Sequence, residues 1–299
     1  MKPAPFEYWD PASVEEATDF LAEHGDESNL LAGGQSLVPL LNMRLVRPEY
    51  VVDLNRLSEL DYVKVEGDVL AVGALARHDT LMRDQMVAER CPLLARAAPH
   101  IGHSAIRYRG TLGGSVAHAD PAAELPAVAA ALDAQVVLRS RRGTRSVPAR
   151  EFFVTHLTTS IEPGELVTEL RFPTRPASGA GSAVMEFTRR HGDFALVGVA
   201  GQIQLDGGSI ASPRFCAFGV DEVPRRMTEV ERLLDGEAPS TALVAEAAST
   251  ASDSVEPPSD MHASASYRRD MTGVLTRRLL LRVLEEAGVP LDDKGGARV

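Results

Sequence analysis

Cysteine is scarce in this sequence, and its scarcity excludes metal centres that depend on thiolate ligands. The 299 residues contain two cysteines, Cys91 and Cys216, which are far apart and form no C-x-x-C pair. Zinc ribbons and iron–sulfur clusters need more thiolates than this. We therefore expect a cytoplasmic protein in which both thiols are small core residues and which binds no metal itself.

Long apolar runs and an excess of basic residues are also missing. No stretch reaches the roughly 18 uncharged apolar residues of a membrane-spanning helix, and the N-terminus, MKPAPFEYWDPAS, lacks the apolar core of a signal peptide. A net charge of −11 argues against nucleic acid as a partner, because phosphate binding needs clustered lysine and arginine. With 44% hydrophobic and 24% charged residues, the composition is that of a soluble globular protein of about two domains.

The segment LLAGGQSLVPLLNMR, residues 30–44, has the pattern of a strand, a tight glycine turn and a helix. An apolar run from Asn29 to Ala32 breaks at Gly33 and Gly34, and a helical pattern follows from Leu37 to Leu45. Two glycines allow positive φ and a close approach to the backbone, so successive N–H groups can point at one phosphate. An ordinary strand-to-helix connection has the same pattern, and the spacing matches neither G-x-G-x-x-G nor the Walker motif. Both interpretations stay open at this point.

A second glycine pair lies in residues 101–132, IGHSAIRYRGTLGGSVAHADPAAELPAVAAAL. The residues that can bring bare backbone and hydroxyl groups against a ligand are Thr111, Gly113, Gly114 and Ser115. Asp120 and Pro121 are predicted to be the N-cap and the first residue of the helix that carries Glu124. Two glycine turns in one domain suit an extended ligand with a diphosphate better than a single small anion.

Hydrophobic periodicity predicts alternating helices and strands up to a join rich in proline, glycine and serine at Pro173–Ser182, which we interpret as the domain boundary. Before the join, the predicted helices are Ser13–His24, Thr80–Arg90 with Asp79 as its cap, and Pro92–Ala98. The predicted strands there are Val51–Leu54, which closes a β-α-β unit, Asp68–Gly73, Gln135–Leu138, Thr144–Val147 and Glu165–Phe172. After the join, three strands precede three helices: Ala183–Thr188, Ala195–Leu205 and Ser209–Val220, then Pro224–Leu234, Thr241–Ala251 and Ser266–Ala287.

These segments resemble a known family. AGGQSLVPLLNMRLVRPEYVVDLNRL and RGTLGGSVAHADPAAELPAVAAALDA are similar to the two flavin-binding signatures of the FAD-binding medium subunit of molybdenum hydroxylases, the xanthine dehydrogenase and carbon monoxide dehydrogenase family. RRHGDFALVGVA and SYRRDMTGVLTRRLL resemble the C-terminal domain of that family, and the resemblance covers nearly the whole chain. It implies an α+β fold: a two-part FAD-binding domain of the vanillyl-alcohol-oxidase (PCMH) type, then a smaller α+β domain with a three-stranded antiparallel sheet and helices. The implied bounds are 1–176 for the FAD-binding domain, with subdomains 1–56 and 57–176, then 177–289 for the second domain and 290–299 for a tail.

The resemblance also implies which residues contact FAD. These are Leu31, Ala32, Gly33, Gly34, Gln35, Ser36 and Leu37 at the diphosphate, Thr111, Gly113, Gly114 and Ser115 on its second side, Ile101 and Leu166 at the flavin or adenine, and Asp120 and Glu124 at cofactor hydroxyl or ring N–H groups. Because the flavin carries the redox chemistry, no side chain of this chain is expected to be catalytic. The alternative for Asp120 and Glu124 is an acid/base pair on successive helical turns.

The resemblance further implies partners. In this family a large subunit carries a molybdenum cofactor and hydroxylates the substrate, and a small subunit carries two iron–sulfur clusters. The flavin subunit passes electrons to NAD, a quinone or oxygen. A higher-order hetero-oligomer, without nucleic acid and without a membrane span, is therefore implied. Two alternatives stay open: a free-standing FAD-dependent oxidase, and a non-catalytic binding module in which the glycine turns are only structural.

One position departs from the family pattern. A lysine often precedes the RRxGDFA-like segment in the family, whereas Glu186 stands at the closest position here. Arg190 and Asp193 are predicted contacts from the second domain, with a turn-capping role as the alternative for Asp193.

Three histidines flank the second glycine pair: His100, His103 and His118. Their spacing is not that of a metal site. We interpret them as surface or cofactor-side histidines.

Overall fold

A computed structural model describes residues 2–174 and 179–291. The chain begins with a three-stranded parallel sheet whose elements are β1 (Glu7–Trp9), α1 (Val14–His24), β2 (Ser28–Leu31), α2 (Leu37–Met43) and β3 (Tyr50–Asp53). The central strand is β3, which pairs in parallel with both neighbours. The predicted β-α-β unit is therefore β2, α2 and β3, and its first loop holds the first glycine pair.

A five-stranded antiparallel sheet and a group of short helices follow. The elements are β4 (Val63–Glu66), β5 (Val69–Gly73), α3 (His78–Arg83), α4 (Gln85–Arg90), α5 (Pro92–Ala97), α6 (Ser104–Arg107), α7 (Leu112–His118), α8 (Glu124–Ala131), β6 (Gln135–Ser140), β7 (Gly143–Pro148), α9 (Ala149–Phe152), β8 (Phe153–Thr155), β9 (Thr158–Thr159) and β10 (Leu166–Pro173). The strand order is β4-β5-β10-β6-β7, so the late strand β10 lies at the centre. Short β8 and β9 pair separately.

The C-terminal part is a second antiparallel sheet packed against three helices. Its elements are β11 (Ala180–Phe187), β12 (Val197–Asp206), β13 (Ser209–Phe218), β14 (Arg225–Arg226), α10 (Thr228–Leu234), α11 (Thr241–Asp253) and α12 (Ala265–Glu286). The three predicted strands are β11, β12 and β13, and the two-residue β14 extends the sheet at its edge. The hairpin turn between β12 and β13 lies at Gly207 and Gly208, which have φ values of +56 and +90.

Helix α8 joins the two parts through a shared core. All of its residues are buried, as expected for a helix that is apolar around its whole circumference. It belongs to one hydrophobic cluster with Ala200 of β12 and with Cys216 and Phe218 of β13. Arg226 adds polar contacts, since its Nη1 donates to the Ala130 carbonyl and to the Asp133 carboxylate, each at 2.9 Å. The C-terminal part is thereby held against the helix whose first residue is Glu124.

Three predicted helix starts are wrong. Helix α3 begins at His78, before its predicted cap, and α8 begins four residues after its predicted cap. Helix α10 begins at Thr228 rather than Pro224, because Arg225 and Arg226 pair with β13 as β14.

Asp79 lies inside α3, and the predicted long helix is interrupted at Asp84, whose carboxylate accepts hydrogen bonds from two amides and caps α4. Asp120 accepts from the Ala122 amide in a turn at 2.9 Å, so α8 begins only at Glu124.

The expected join and the expected tail lie partly outside the described residues. The ranges concerned are 175–178 of the join and 292–299 of the tail. Among the helices of 2–174 and 179–291, none has both the length and the apolar character needed to cross a membrane.

Candidate functional site

The first glycine pair forms the turn between β2 and α2. Gly34 has a φ of +72, a conformation that strains any residue with a side chain. The side-chain amide of Gln35 donates from Nε2 to the Gly33 carbonyl at 3.1 Å and closes the turn. Helix α2 runs from Leu37 to Met43, and its C-cap Arg44 has a left-handed φ of 58. The segment is the strand, turn and helix that its sequence predicts.

The second glycine pair lies in the first turn of α7. Thr111 is the N-cap of this helix, and its Oγ1 accepts a hydrogen bond from the Gly114 amide at 3.1 Å. This hydroxyl is therefore engaged in capping. A Cβ atom on Gly113 would lie 2.5 Å from the Cβ of Ala74, so the glycine allows α7 to pack closely against the end of β5.

The two glycine segments contact one another. A Cβ atom on Gly33 would lie 2.5 Å from the carbonyl oxygen of Arg109 and 2.7 Å from the Cα of Gly110. A Cβ atom on Gly114 would lie 3.9 Å from the Cβ of Ala32. Segments that are remote in the sequence therefore form the two walls of one crevice.

This crevice opens into a cavity of about 490 Å³. The residues predicted to contact the cofactor that line it are Ala32, Gly33, Gly34, Gln35, Ser36, Leu37, Ile101, Thr111, Gly113, Gly114, Ser115, Asp120, Glu124 and Leu166. Leu31 lies behind the turn instead, with its Cδ1 3.1 Å from the position of a Cβ on Gly34. The structure thus gathers the predicted residues, apart from Leu31, around a single space.

Polar side chains that the sequence did not single out hold the crevice together. Asn55, which follows β3, donates from Nδ2 to the carbonyl of Ala32 at 2.9 Å. Arg77 donates to Asn55 Oδ1 at 2.7 Å through one nitrogen and to the carbonyl of Arg109 through another. The pair therefore links the first glycine turn to the loop before the second. Asn55 lies within the motif VVDLNRL, but nothing in the pattern of this motif predicts the contact.

His78 supports the second segment from beneath. Its ring is buried, and Nε2 lies 2.9 Å from the carbonyl oxygen of Thr111. Because a carbonyl only accepts, we assign the proton to Nε2. Burial lowers the pKa of His78 to about 4, so the ring is neutral at neutral pH. A Cβ on Gly110 would lie 2.7 Å from this ring, which explains why a glycine stands there.

The acidic end of the cavity holds Asp120 and Glu124. Glu124 is 8% exposed, and burial raises the pKa of its carboxyl to about 7. The negative charges of Glu186 and Asp120 raise this pKa further, whereas the Glu124 backbone amide and the imidazole of His100 lower it. A carboxyl group that exchanges its proton near neutral pH therefore faces the cavity.

The C-terminal part closes one side of the cavity with the loop between β11 and β12. Gly192, Asp193 and Phe194 line the cavity, and Phe194 is 64% exposed. The Asp193 amide donates to the carbonyl of Arg190 at 3.0 Å, which makes this segment a turn. A Cβ on Gly192 would lie 2.5 Å from the ring of His103, so the turn packs against the N-cap of α6. Of the two predicted contacts, Asp193 reaches the cavity.

The three flanking histidines have separate surroundings. His118 lines the cavity, His103 faces the ring of His191 with centroids 6.0 Å apart, and His100 pairs with Glu186. Over the described ranges, no group of three or more His, Cys, Asp or Glu side chains is arranged to hold a metal ion.

The geometry suits a dinucleotide. Side-chain-free backbone at Gly33, Gly34 and Gly114 can approach a diphosphate closely, while Ile101 and Leu166 provide apolar surface for planar rings. The cavity volume lies within the roughly 300–1,000 Å³ typical of cofactor sites. FAD, with a diphosphate between two ring systems, fits this set of surfaces.

Two family models match the chain. The model of the FAD binding domain in molybdopterin dehydrogenase matches residues 4–175. The model of the CO dehydrogenase flavoprotein C-terminal domain matches residues 182–283.

Similar proteins cover the chain almost completely. The 6-hydroxypseudooxynicotine dehydrogenase complex subunit alpha of Paenarthrobacter nicotinovorans is 42% identical, over 96% of this chain and 97% of that protein. The glyceraldehyde dehydrogenase medium chain of Sulfolobus acidocaldarius is 39% identical, over 95% and 100% respectively. A solved structure of carbon monoxide dehydrogenase from Hydrogenophaga pseudoflava superposes with a TM-score of 0.93 at 36% identity, over 96% of this chain and 99% of that one. The chain therefore belongs to the family of FAD-binding medium subunits of molybdenum hydroxylases that includes the carbon monoxide dehydrogenase flavoproteins.

Proposed function

We propose that this chain is the FAD-binding medium subunit of a multi-subunit molybdenum hydroxylase, an oxidoreductase, and passes electrons through FAD to a final acceptor. The observation that carries the proposal is the single cavity of about 490 Å³ between the two glycine segments. Neither segment alone distinguishes a cofactor site from an ordinary turn, but their contact creates a crevice of the shape a dinucleotide needs.

The residues of the chain would position the cofactor. The turn at Gly33 and Gly34, with Gly114 opposite, holds the diphosphate, while Ile101 and Leu166 face the rings. Asp120 and Glu124 accept hydrogen bonds from cofactor hydroxyl or ring N–H groups. When bound, FAD supplies the redox chemistry, and the chain orients it and limits the access of water.

Iron–sulfur clusters and the molybdenum cofactor are assigned to partner subunits. Cys91 and Cys216 are both free and buried, and burial raises the pKa of Cys91 to about 12 and that of Cys216 as well. Such thiols do not become the thiolates that clusters require. The names of the relatives, a complex subunit alpha and a medium chain, support the same division of labour.

We also propose the domain division 1–176 and 177–289, which the two matched ranges support.

Free thiols support a reducing compartment, and we propose the cytoplasm. In the assembled complex, this chain would hold FAD so that the bound cofactor could take electrons from a cluster of the small subunit and give them to NAD, a quinone or oxygen.

The proposal is tested by mixing the FAD-loaded chain with a chemically reduced small subunit in a stopped-flow instrument. We expect the flavin absorption to bleach with this subunit and to remain without it. Oxidation of an alcohol or aldehyde by the chain alone would indicate a free-standing oxidase instead. A folded chain that contains no FAD even inside the complex would indicate a binding module.

A further inference from the structure

Three ionisable side chains meet where the two parts of the chain join. His100 lies at the end of a short helical turn after α5, Glu186 on β11, and Glu124 at the start of α8. The Nδ1 of His100 is 3.1 Å from Oε1 of Glu186, whose side chain is 11% exposed. Glu124 lies within electrostatic reach of both. None of these groups is required to hold the diphosphate.

The second oxygen of Glu186 marks the cluster as incomplete. Its Oε2 is buried and, within residues 2–174 and 179–291, accepts no hydrogen bond. A buried acceptor without a donor costs free energy, so Oε2 is placed to receive a proton-bearing group. A protonated Glu124 that donates through one bridging water molecule is such a group.

The charges around the cluster favour proton exchange near neutral pH. The carboxylate of Glu186 raises the pKa of His100, against the effect of burial, and Glu124 raises it further. The groups that act on Glu124 are its own amide, Glu186, His100 and Asp120. The imidazole of His100 and the carboxyl of Glu124 therefore each favour the protonated form more than they would in water, and each is placed to carry a proton within the cluster.

The cluster also lies between two cavities. Glu124 lines the cavity between the glycine segments. His100 lines a second cleft of about 540 Å³ between α5 and β11, and its side chain is 33% exposed. Solvent protons can thus reach His100 from a side of the protein that a cofactor in the first cavity does not block.

We propose that His100, Glu186 and Glu124 form a proton path from the second cleft to the flavin, with Glu124 as the residue that exchanges protons with the cofactor. The inference rests on the proposed function. Reduction of FAD to FADH2 takes two electrons, from reduced iron–sulfur clusters of the partner, and two protons, which enter along this path. Two one-electron acceptors would remove both electrons from the bound cofactor, and both protons would leave by the same path; NAD would take a hydride, so that one proton would leave.

The test uses the isolated chain loaded with FAD, reduced, and mixed with ferricyanide. One FADH2 and two ferricyanide ions give FAD, two ferrocyanide ions and two protons, and a pH indicator records the release. We expect Glu124→Gln, Glu186→Gln and His100→Gln each to slow the release of protons by at least about tenfold. Glu169→Gln is the matched control, because Glu169 is equally buried but pairs with Arg171 on β10. Release at the wild-type rate in all three variants overturns the proposal.

A second measurement needs no substitution and no cofactor. Carboxyl NMR of the FAD-free chain, with labelled glutamate, should show one buried glutamate that titrates around neutrality, and its titration should shift in His100→Gln. Absence of such a glutamate also overturns the path. FAD content is measured first: if the wild-type chain and its complex bind no FAD, the proposed function fails, whereas bound FAD with unaltered proton release rejects the path alone.

Discussion

The carbonyl oxygen of Arg109 lies 2.5 Å from the position that a Cβ atom on Gly33 would take. Real Cβ atoms do not approach a backbone oxygen this closely, so the contact exists only because residue 33 has no side chain. The spacing of the two glycine segments, and with it the width of the crevice, depends on this pair.

Gly33→Ala should therefore widen or distort the crevice. The methyl group meets backbone rather than a flexible side chain, so one segment must move. We expect a loss of stability of roughly 1–3 kcal/mol and a fall in FAD content, measured by urea unfolding and by absorption of the purified variant. Unchanged FAD content and stability would contradict the packing described for this pair.

Gly34→Val offers a test with a matched control. Gly34 and Gly67 have similar φ values, +72 and +65, but only Gly34 borders the cavity, with Val38 Cγ2 3.1 Å from the position of its Cβ. Both substitutions place a branched residue in a left-handed conformation. We expect Gly34→Val to abolish FAD binding and Gly67→Val to retain it, as followed by flavin titration. Equal retention would mean that the first turn does not contact the cofactor.

Arg77→Ala should weaken cofactor binding although Arg77 is placed behind the glycine turn. Its loss removes the link between Asn55 and the carbonyl of Arg109. We expect an FAD affinity lower by about tenfold or more, in line with roughly 1.5–3 kcal/mol for a lost hydrogen bond to a charged group. Arg56→Ala is the control, because Arg56 forms an exposed ion pair with Asp10. If both variants bind FAD equally well, the link has no positioning role.

His78 should make stability depend on pH on the acid side. Its pKa is lowered from an ordinary 6.5 to about 4 by burial, with smaller effects from Arg77 and Arg107. Between these values the unfolded chain binds a proton that the folded chain does not, so the free energy of unfolding falls as the pH falls. We expect His78 to contribute a loss of roughly 2 kcal/mol between about pH 7 and about pH 5.

Urea unfolding of the wild type and of His78→Gln at both pH values isolates this contribution. Glu124 acts in the opposite direction. Its pKa is raised, so between about pH 5 and about pH 7 the folded chain keeps a proton that the unfolded chain has lost, and the free energy of unfolding falls as the pH rises. Glu124 is present in both proteins, so its effect cancels when the pH-dependent change in the free energy of unfolding of one is subtracted from that of the other. An equal pH dependence in both would contradict the burial of a neutral His78.

Local features of the fold were readable from the sequence because their determinants are local. Helix α1 has a serine cap three residues before Glu16, and the amide of Glu16 does bind Ser13 Oγ at 3.1 Å. The turns at Gly34 and at Gly207 require positive φ, which glycine supplies. The strand β1, with three residues, gave too short a pattern to detect.

The contacts that hold the site together could not be predicted from the sequence, because they join residues that are distant along the chain. Arg77 and His78 carry no motif, and their roles follow only from where Arg109 and Thr111 come to lie. Likewise, Asp84 rather than Asp79 caps a helix, since both are good caps by sequence and only the folded backbone selects between them.

The most direct test of the account is an FAD titration of the purified chain, with the released cofactor identified by mass. We predict saturable binding of one FAD per chain, with flavin absorption bands, and loss of that binding in Gly34→Val. A folded wild-type chain that contains no FAD, both alone and after co-expression with its partner subunits, would contradict the account.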